Sequence, residues 1–174
     1  FTDEQLRPYF SLDRVLNGLF ELCHRLFGIS VKSADGNAPI WNPDVRYYEV
    51  FDESQRHIAG FYLDPYSRPK DKRGGAWMDD AMTRRRVAPS IHVPSGIQIP
   101  VAYLNCNFAP PVGGKPALFT HDEVITLFHE FGHALHGLLS QVHYPSQSGT
   151  NVARDYVEFP SQINEHWLST PEVL

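Results

Sequence analysis

The apolar pattern along this chain predicts an α+β fold in which a small mixed or antiparallel sheet packs against long helices. One of those helices carries His-Glu-x-x-His and another a glutamate. Three observations point there. A helical stripe comes first, aromatic and β-branched runs come next, and helical patterns return at the end, without regular strand–helix alternation. The 174 residues are the length of one ordinary domain, and 42% hydrophobic content suffices to fill a core.

The first helix is expected over Phe10 to Phe27, where Leu12, Val15, Leu16, Leu19, Phe20, Leu22, Cys23, Leu26 and Phe27 recur at helical spacing. Ser11 or an earlier polar residue caps it, and Gly28 stops it. A short strand over Ile29 to Val31 ends at the breaker Ser33 to Asn37. Val45 to Phe51 and His57 to Leu63 read as a hairpin, joined by the polar loop Asp52 to Arg56. Lys72 to Met78, with Gly74-Gly75 and Trp77, reads as a turn with one core tryptophan, or as a place where the backbone approaches a ligand. Val101 to Phe108 is a further strand between Pro100 and the loop that starts at Pro110. It stands directly before the helix that carries the chemistry.

That helix runs through Thr120 to Gly137. Val124, Leu127, Phe128, Phe131, Ala134, Leu135 and Leu138 form a buried stripe, which places the adjacent His129 and His133 at the core boundary. Residues four apart on a helix share a face, so both imidazoles can meet one tetrahedral zinc. Glu130 lies about 100° around from His129, beside the metal rather than on it, where a general base belongs. A third protein ligand must come from a crossing element, and Asp155 to Trp167 is the candidate. Asp155-x-x-Glu158 looks like a capping box, but Pro160 requires that the helix start after Asp155 or kink. By spacing, Glu158 leads, with Asp155 and Glu165 as competitors. Glu158, Gln162 and Glu165 share a face, so those that do not ligate can orient the histidines, and Asp155 has the same alternative. His143 is a further candidate, and His136 is rotated away from the pair.

A net charge of −5 leaves no footprint for nucleic acid, and Arg84-Arg85-Arg86 reads as a solvated face. Cys23 and Cys106 match no metal or disulfide spacing and are expected as buried thiols. No leader pattern or membrane-length apolar run occurs, so no membrane partner is expected. The chain opens on Phe1 and is read as a piece of a longer one.

His129-Glu130-Phe131-Gly132-His133-Ala134-Leu135-His136, with Phe119 to Val124 before it and Ser148-Gly149-Thr150 and Arg154 to Gln162 after it, resembles the thimet oligopeptidase family of zinc metallopeptidases. The likeness extends to Asp44-Val45-Arg46, Phe61 to Asp64 and Arg73 to Met78. It implies a zincin-like centre with one zinc per chain, His129, His133 and Glu158 as ligands, and Glu130 as the catalytic glutamate. It implies further that residues 1–174 are the central part of a catalytic domain, in an enzyme of two helical halves enclosing a channel for short peptides. The partners are then those peptides and the rest of the enzyme, in the cytoplasm. Val157 to Trp167 resembles the bacterial peptidyl-dipeptidase branch, and Lys115 to Glu123 resembles oligopeptidase A. Release of C-terminal dipeptides is the reading adopted, with oligopeptidase A-like internal cleavage as the alternative. A zinc-binding fragment without catalysis is the alternative of another class, because the family's tyrosines and histidine that touch the scissile carbonyl lie beyond the third ligand. The substrate is expected to lie as an added strand on Val101 to Phe108 or along Gly74, Gly75 and Ala76.

Overall fold

The computed structural model describes residues 2–173. In chain order the elements are α1 (Asp3–Leu6), α2 (Leu12–Phe27), β1 (Ser30–Ser33), β2 (Arg46–Phe51), β3 (His57–Tyr66), β4 (Trp77–Met82), β5 (Arg85–Arg86), β6 (Ile97–Gln98), β7 (Val101–Phe108), α3 (His121–Leu138) and α4 (Phe159–His166). Short 3-10 turns occupy Arg7–Tyr9, Pro145–Gln147 and Trp167–Ser169.

The predicted class is present as a mixed, mostly antiparallel sheet with helices. Five strands run in the order β1-β2-β3-β7-β4, and only the β3–β7 pair is parallel. The long helices bury their stripes on one side. From α2 come Leu12, Val15, Leu16, Leu19 and Cys23, from the strands Phe61, Leu63, Leu104 and Cys106, and from α3 Val124, Leu127 and Phe131. Phe20, Phe61 and Phe131 meet there, with the Phe61 and Phe131 rings edge-on at 5.4 Å. Trp41, Tyr47, Tyr62 and Tyr103 form a separate aromatic cluster. Cys23 and Cys106 are buried free thiols, and burial pushes each up to about 12, which leaves them as inert core atoms.

Two expectations need correction. Val101 to Phe108 offers no edge, because β7 pairs with β3 on one side and β4 on the other, and Ala102, Leu104 and Cys106 fill the core. Trp77 is not a core residue after a turn; it opens β4, the outer strand, and lies half-buried under the Arg73 guanidinium, 4.5 Å from the ring centre. The strand was hidden because Trp-Met-Asp-Asp-Ala-Met has no apolar alternation. Partly exposed aspartates are compatible with its place at the outside of the sheet.

The helix boundaries also shift. The capping box lies at Thr120 and Glu123, not at Asp155 and Glu158: the Glu123 amide donates to Thr120 Oγ1 at 3.2 Å, and the Thr120 amide donates to Glu123 Oε2 at 2.8 Å. Such a cap is worth about 1 kcal/mol and sets where α3 begins. Residues 154–158 are turns, and α4 starts after Glu158 with Pro160 in its first turn, where a missing N–H costs nothing. Arg84 is not wholly solvated, since it donates to the Val142 carbonyl at 2.6 Å, whereas Arg85 and Arg86 are exposed. No helix among the described residues is long and apolar enough to cross a membrane.

Candidate metal centre

The centre forms where α3 and α4 touch, and a glycine lets them touch. A Cβ at Gly132 would lie 2.6 Å from Ser161 Cα and 3.0 Å from the Pro160 carbonyl, closer than packing allows. Asn164, buried at the same contact, donates to the Phe128 carbonyl at 2.6 Å. These contacts bring the N-terminal end of α4, and with it Glu158, over the histidine face of α3.

Because Glu158 precedes the first turn of α4 and caps no backbone amide, its carboxylate is free to reach outward. Its Oε2 lies 3.1 Å from His129 Nε2 and 3.0 Å from His133 Nε2. One ligand atom from each of the three residues falls within 4.8 Å of the others. Two further contacts fix this arrangement. The Glu165 carboxylate holds His129 Nδ1 at 2.5 Å, which turns Nε2 toward the cluster. The fully buried Ser161 hydroxyl, with one proton to give, faces both the Glu158 carbonyl at 2.8 Å and Glu158 Oε2 at 3.0 Å. Burial lowers the His133 pKa, with Glu158 opposing, so the neutral ligating form is favoured. Two imidazole nitrogens and one carboxylate oxygen converging around a shared point are a donor set able to hold a metal ion. His133 Nδ1 is buried with no hydrogen-bond partner among the described residues.

Glu130 does not join the donors. It is buried beside them, and burial raises its pKa, with the His129 ring and the Met78 backbone amide opposing and the Glu158 charge reinforcing. A cleft of about 220 Å³ opens next to the cluster, lined by His133, Glu158, Thr150 and Val157 and by Met78, Asp79 and Asp80 of β4.

Of the residues expected at the site, the structure brings together His129, Glu130, His133, Glu158 and Glu165. Asp155 and Gln162 are exposed and make no hydrogen bond to the cluster among the described residues. The later start of α4 explains this, since Asp155 lies in a turn and Gln162 faces solvent. His143 is exposed, and His136 lines a separate apolar groove of about 420 Å³ between α2, α3 and α4. Gly74, Gly75 and Ala76 lead into β4 rather than forming the cleft. Gly74 and Gly75 face open space, and Gly75 has φ of 83°, so the turn rather than close approach requires glycine there. Sequence reasoning missed Ser161, Asn164 and the Met78 amide. Their only local signal is a glycine inside a helix, which Gly132 shares with Gly18 and Gly137.

Known proteins resemble the chain throughout. The family profile described as Peptidase family M3 matches residues 1–174. Oligopeptidase A of Escherichia coli (strain K12) is 52% identical over 174 residues, which is 99% of this chain and 25% of the relative. Organellar oligopeptidase A, chloroplastic/mitochondrial, of Arabidopsis thaliana is 53% identical over 166 residues, 95% of this chain and 21% of the relative. Dipeptidyl carboxypeptidase of Escherichia coli (strain K12) is 47% identical over 173 residues, 98% of this chain and 24% of the relative. The chain thus spans about a quarter of the length of the curated relatives it matches. With one profile running from its first residue to its last, and relatives at about half identity across it, the chain belongs to peptidase family M3.

Proposed function

We propose that this chain is the central part of the catalytic domain of a zincin-like zinc peptidase that cuts short peptides internally. The observation that carries this is the convergence of His129 Nε2, His133 Nε2 and Glu158 Oε2 beside the buried carboxylate of Glu130. A zinc held there supplies Lewis acidity. Glu130, buried beside the donors, takes the proton of the attacking water and returns it to the leaving nitrogen. Glu165 fixes the His129 ring, and the Ser161 hydroxyl faces the ligating oxygen of Glu158. The substrate backbone pairs with the free edge of β4, continuing the sheet across the cleft. Gly74 to Ala76 set the approach to that edge.

Internal cleavage is preferred over dipeptide release for two reasons. A dipeptidase must bind a terminal carboxylate, and the cleft presents Asp79 and Asp80 with no lysine or arginine among its described lining residues. The relatives named oligopeptidase A are also more similar, at 52% and 53%, than the dipeptidyl carboxypeptidase at 47%. In the natural polypeptide, an internally quenched peptide should be cut equally well with a free or an amidated C-terminus. A strict need for the free carboxylate would transfer the proposal to dipeptide release. Cytoplasmic residence fits a relative named probable cytosolic oligopeptidase A, and fractionation against organelles tests it.

Metal analysis after dialysis tests the centre itself. About one zinc per chain is expected, and the His129→Ala, His133→Ala double variant should lose it. Stoichiometric zinc in that variant would reject the ligand assignment. If the 174-residue segment binds zinc yet cuts nothing, the contacts that complete the reaction come from elsewhere in the polypeptide.

A further inference from the structure

We infer that Lys72, Asp64 and Asn107 are positioning residues that hold the start of β4 in place, and with it Met78, Asp79 and Asp80, which line the cleft beside His133 and Glu158. The inference rests on the reading of Glu130 as the base.

Lys72 is an ammonium buried to 4% exposure, an expensive location for a charge unless several acceptors meet it. Four do. Its Nζ lies 3.1 Å from Asp64 Oδ1, and it donates to the carbonyls of Asp64 at 2.9 Å, Tyr66 at 3.0 Å and Cys106. Those carbonyls belong to the ends of β3 and β7, just where the ladder between the two strands shifts register. One ammonium therefore ties two neighbouring strands to the segment that leads into the third.

Asp64, 2% exposed, is saturated in turn. Arg68 grips both its oxygens at 2.7 Å, and Trp41 Nε1 donates to Oδ2 at 3.1 Å. Beyond Lys72, the Asn107 side chain donates to the carbonyls of Arg73, at 3.0 Å, and Gly75. Thus the backbone is fixed at residues 72, 73 and 75, two positions before Trp77 pairs with Asn105. A plain ion pair needs none of the carbonyl contacts. A device that sets where an outer strand begins needs all of them, because among the described residues that strand has a partner on one side only.

The test uses the natural polypeptide with an internally quenched peptide. Asn107→Ala removes two contacts from a half-buried side chain, so the fold survives. It should keep the parental zinc content and lower kcat about 10-fold, with KM changed less. Lys72→Met should lower kcat by roughly 10- to 100-fold, as expected when a catalytic geometry is displaced by about 1 Å. The charge-free pair Asp64→Asn, Lys72→Met separates positioning from stability. Whichever way Tm moves once Arg68 has lost its carboxylate partner, kcat should stay as low as in Lys72→Met, because the three carbonyls still lack their donor. Parental kcat in Asn107→Ala, or a kcat that returns in the pair, would overturn the inference and leave the network purely structural. Glu130→Gln serves as the control. If it stays fully active, the base reading and this inference fall together; if it is inactive while Asn107→Ala and the pair are parental, only the positioning role falls.

Discussion

Replacing Glu130 by Gln in the natural polypeptide is expected to keep the zinc and to lower turnover by about 10²- to 10⁴-fold. Glutamine preserves the shape but cannot accept a proton from water. The site is built to make that loss visible in isolation, since Glu130 contributes none of the three donor atoms and sits one residue from a ligand, on a different side of the helix. Metal content, measured beside kcat, is therefore the deciding control. Zinc at the parental level with turnover near the parental level would exclude Glu130 as the base.

Gly132→Ala is expected to damage the centre without touching any ligand. The added methyl would fall 2.6 Å from Ser161 Cα, an atom of the backbone that cannot swing aside. Either α4 moves away from α3, or the fold absorbs about 1–3 kcal/mol of overpacking. Moving α4 carries Glu158, Ser161 and Glu165 together, so one methyl disturbs a proposed ligand and two of the side chains in contact with the cluster. Losses of about 10- to 100-fold in metal affinity accompany damage to such supporting contacts. Titration with zinc would measure the loss, and circular dichroism would confirm that the helices persist. Parental zinc affinity in a folded variant would show that the close approach of the helices does not hold Glu158 in place.

The helices and the hairpin are legible in the sequence because their signals are local. Leu12 to Cys23 and Val124 to Leu138 repeat at helical spacing, and the β2–β3 hairpin announces itself by two aromatic runs around a polar loop. Pairing between distant segments stays hidden. Nothing in Val101 to Phe108 states that its neighbours are His57–Tyr66 and Trp77–Met82, and the aspartates of the latter mask it as a loop. The site divides in the same way. His129, Glu130 and His133 sit within one helical turn and can be found by spacing alone. For the crossing element, spacing leaves Glu158, Asp155 and Glu165 in competition, because residues 139–158 carry no periodic pattern that would orient α4. Ser161 and Asn164 are invisible, being ordinary polar residues until α3 lies against them.

The sheet order has a consequence for how the chain acquires its shape. In sequence the strands come as β3, β4, β7, but in space β7 lies between the other two. The hairpin of β2 and β3 closes on contacts a few residues apart, whereas β4 has no native ladder partner until residues 101–108 have been placed against β3. That parallel pairing closes a loop of about 40 residues before it is rewarded, which makes it a slow, entropically costly event. Until it occurs, two strands wait with unpaired edges. The strand beside the candidate centre is therefore among the last of the sheet to be fixed, and the scaffold forms ahead of its outer edge.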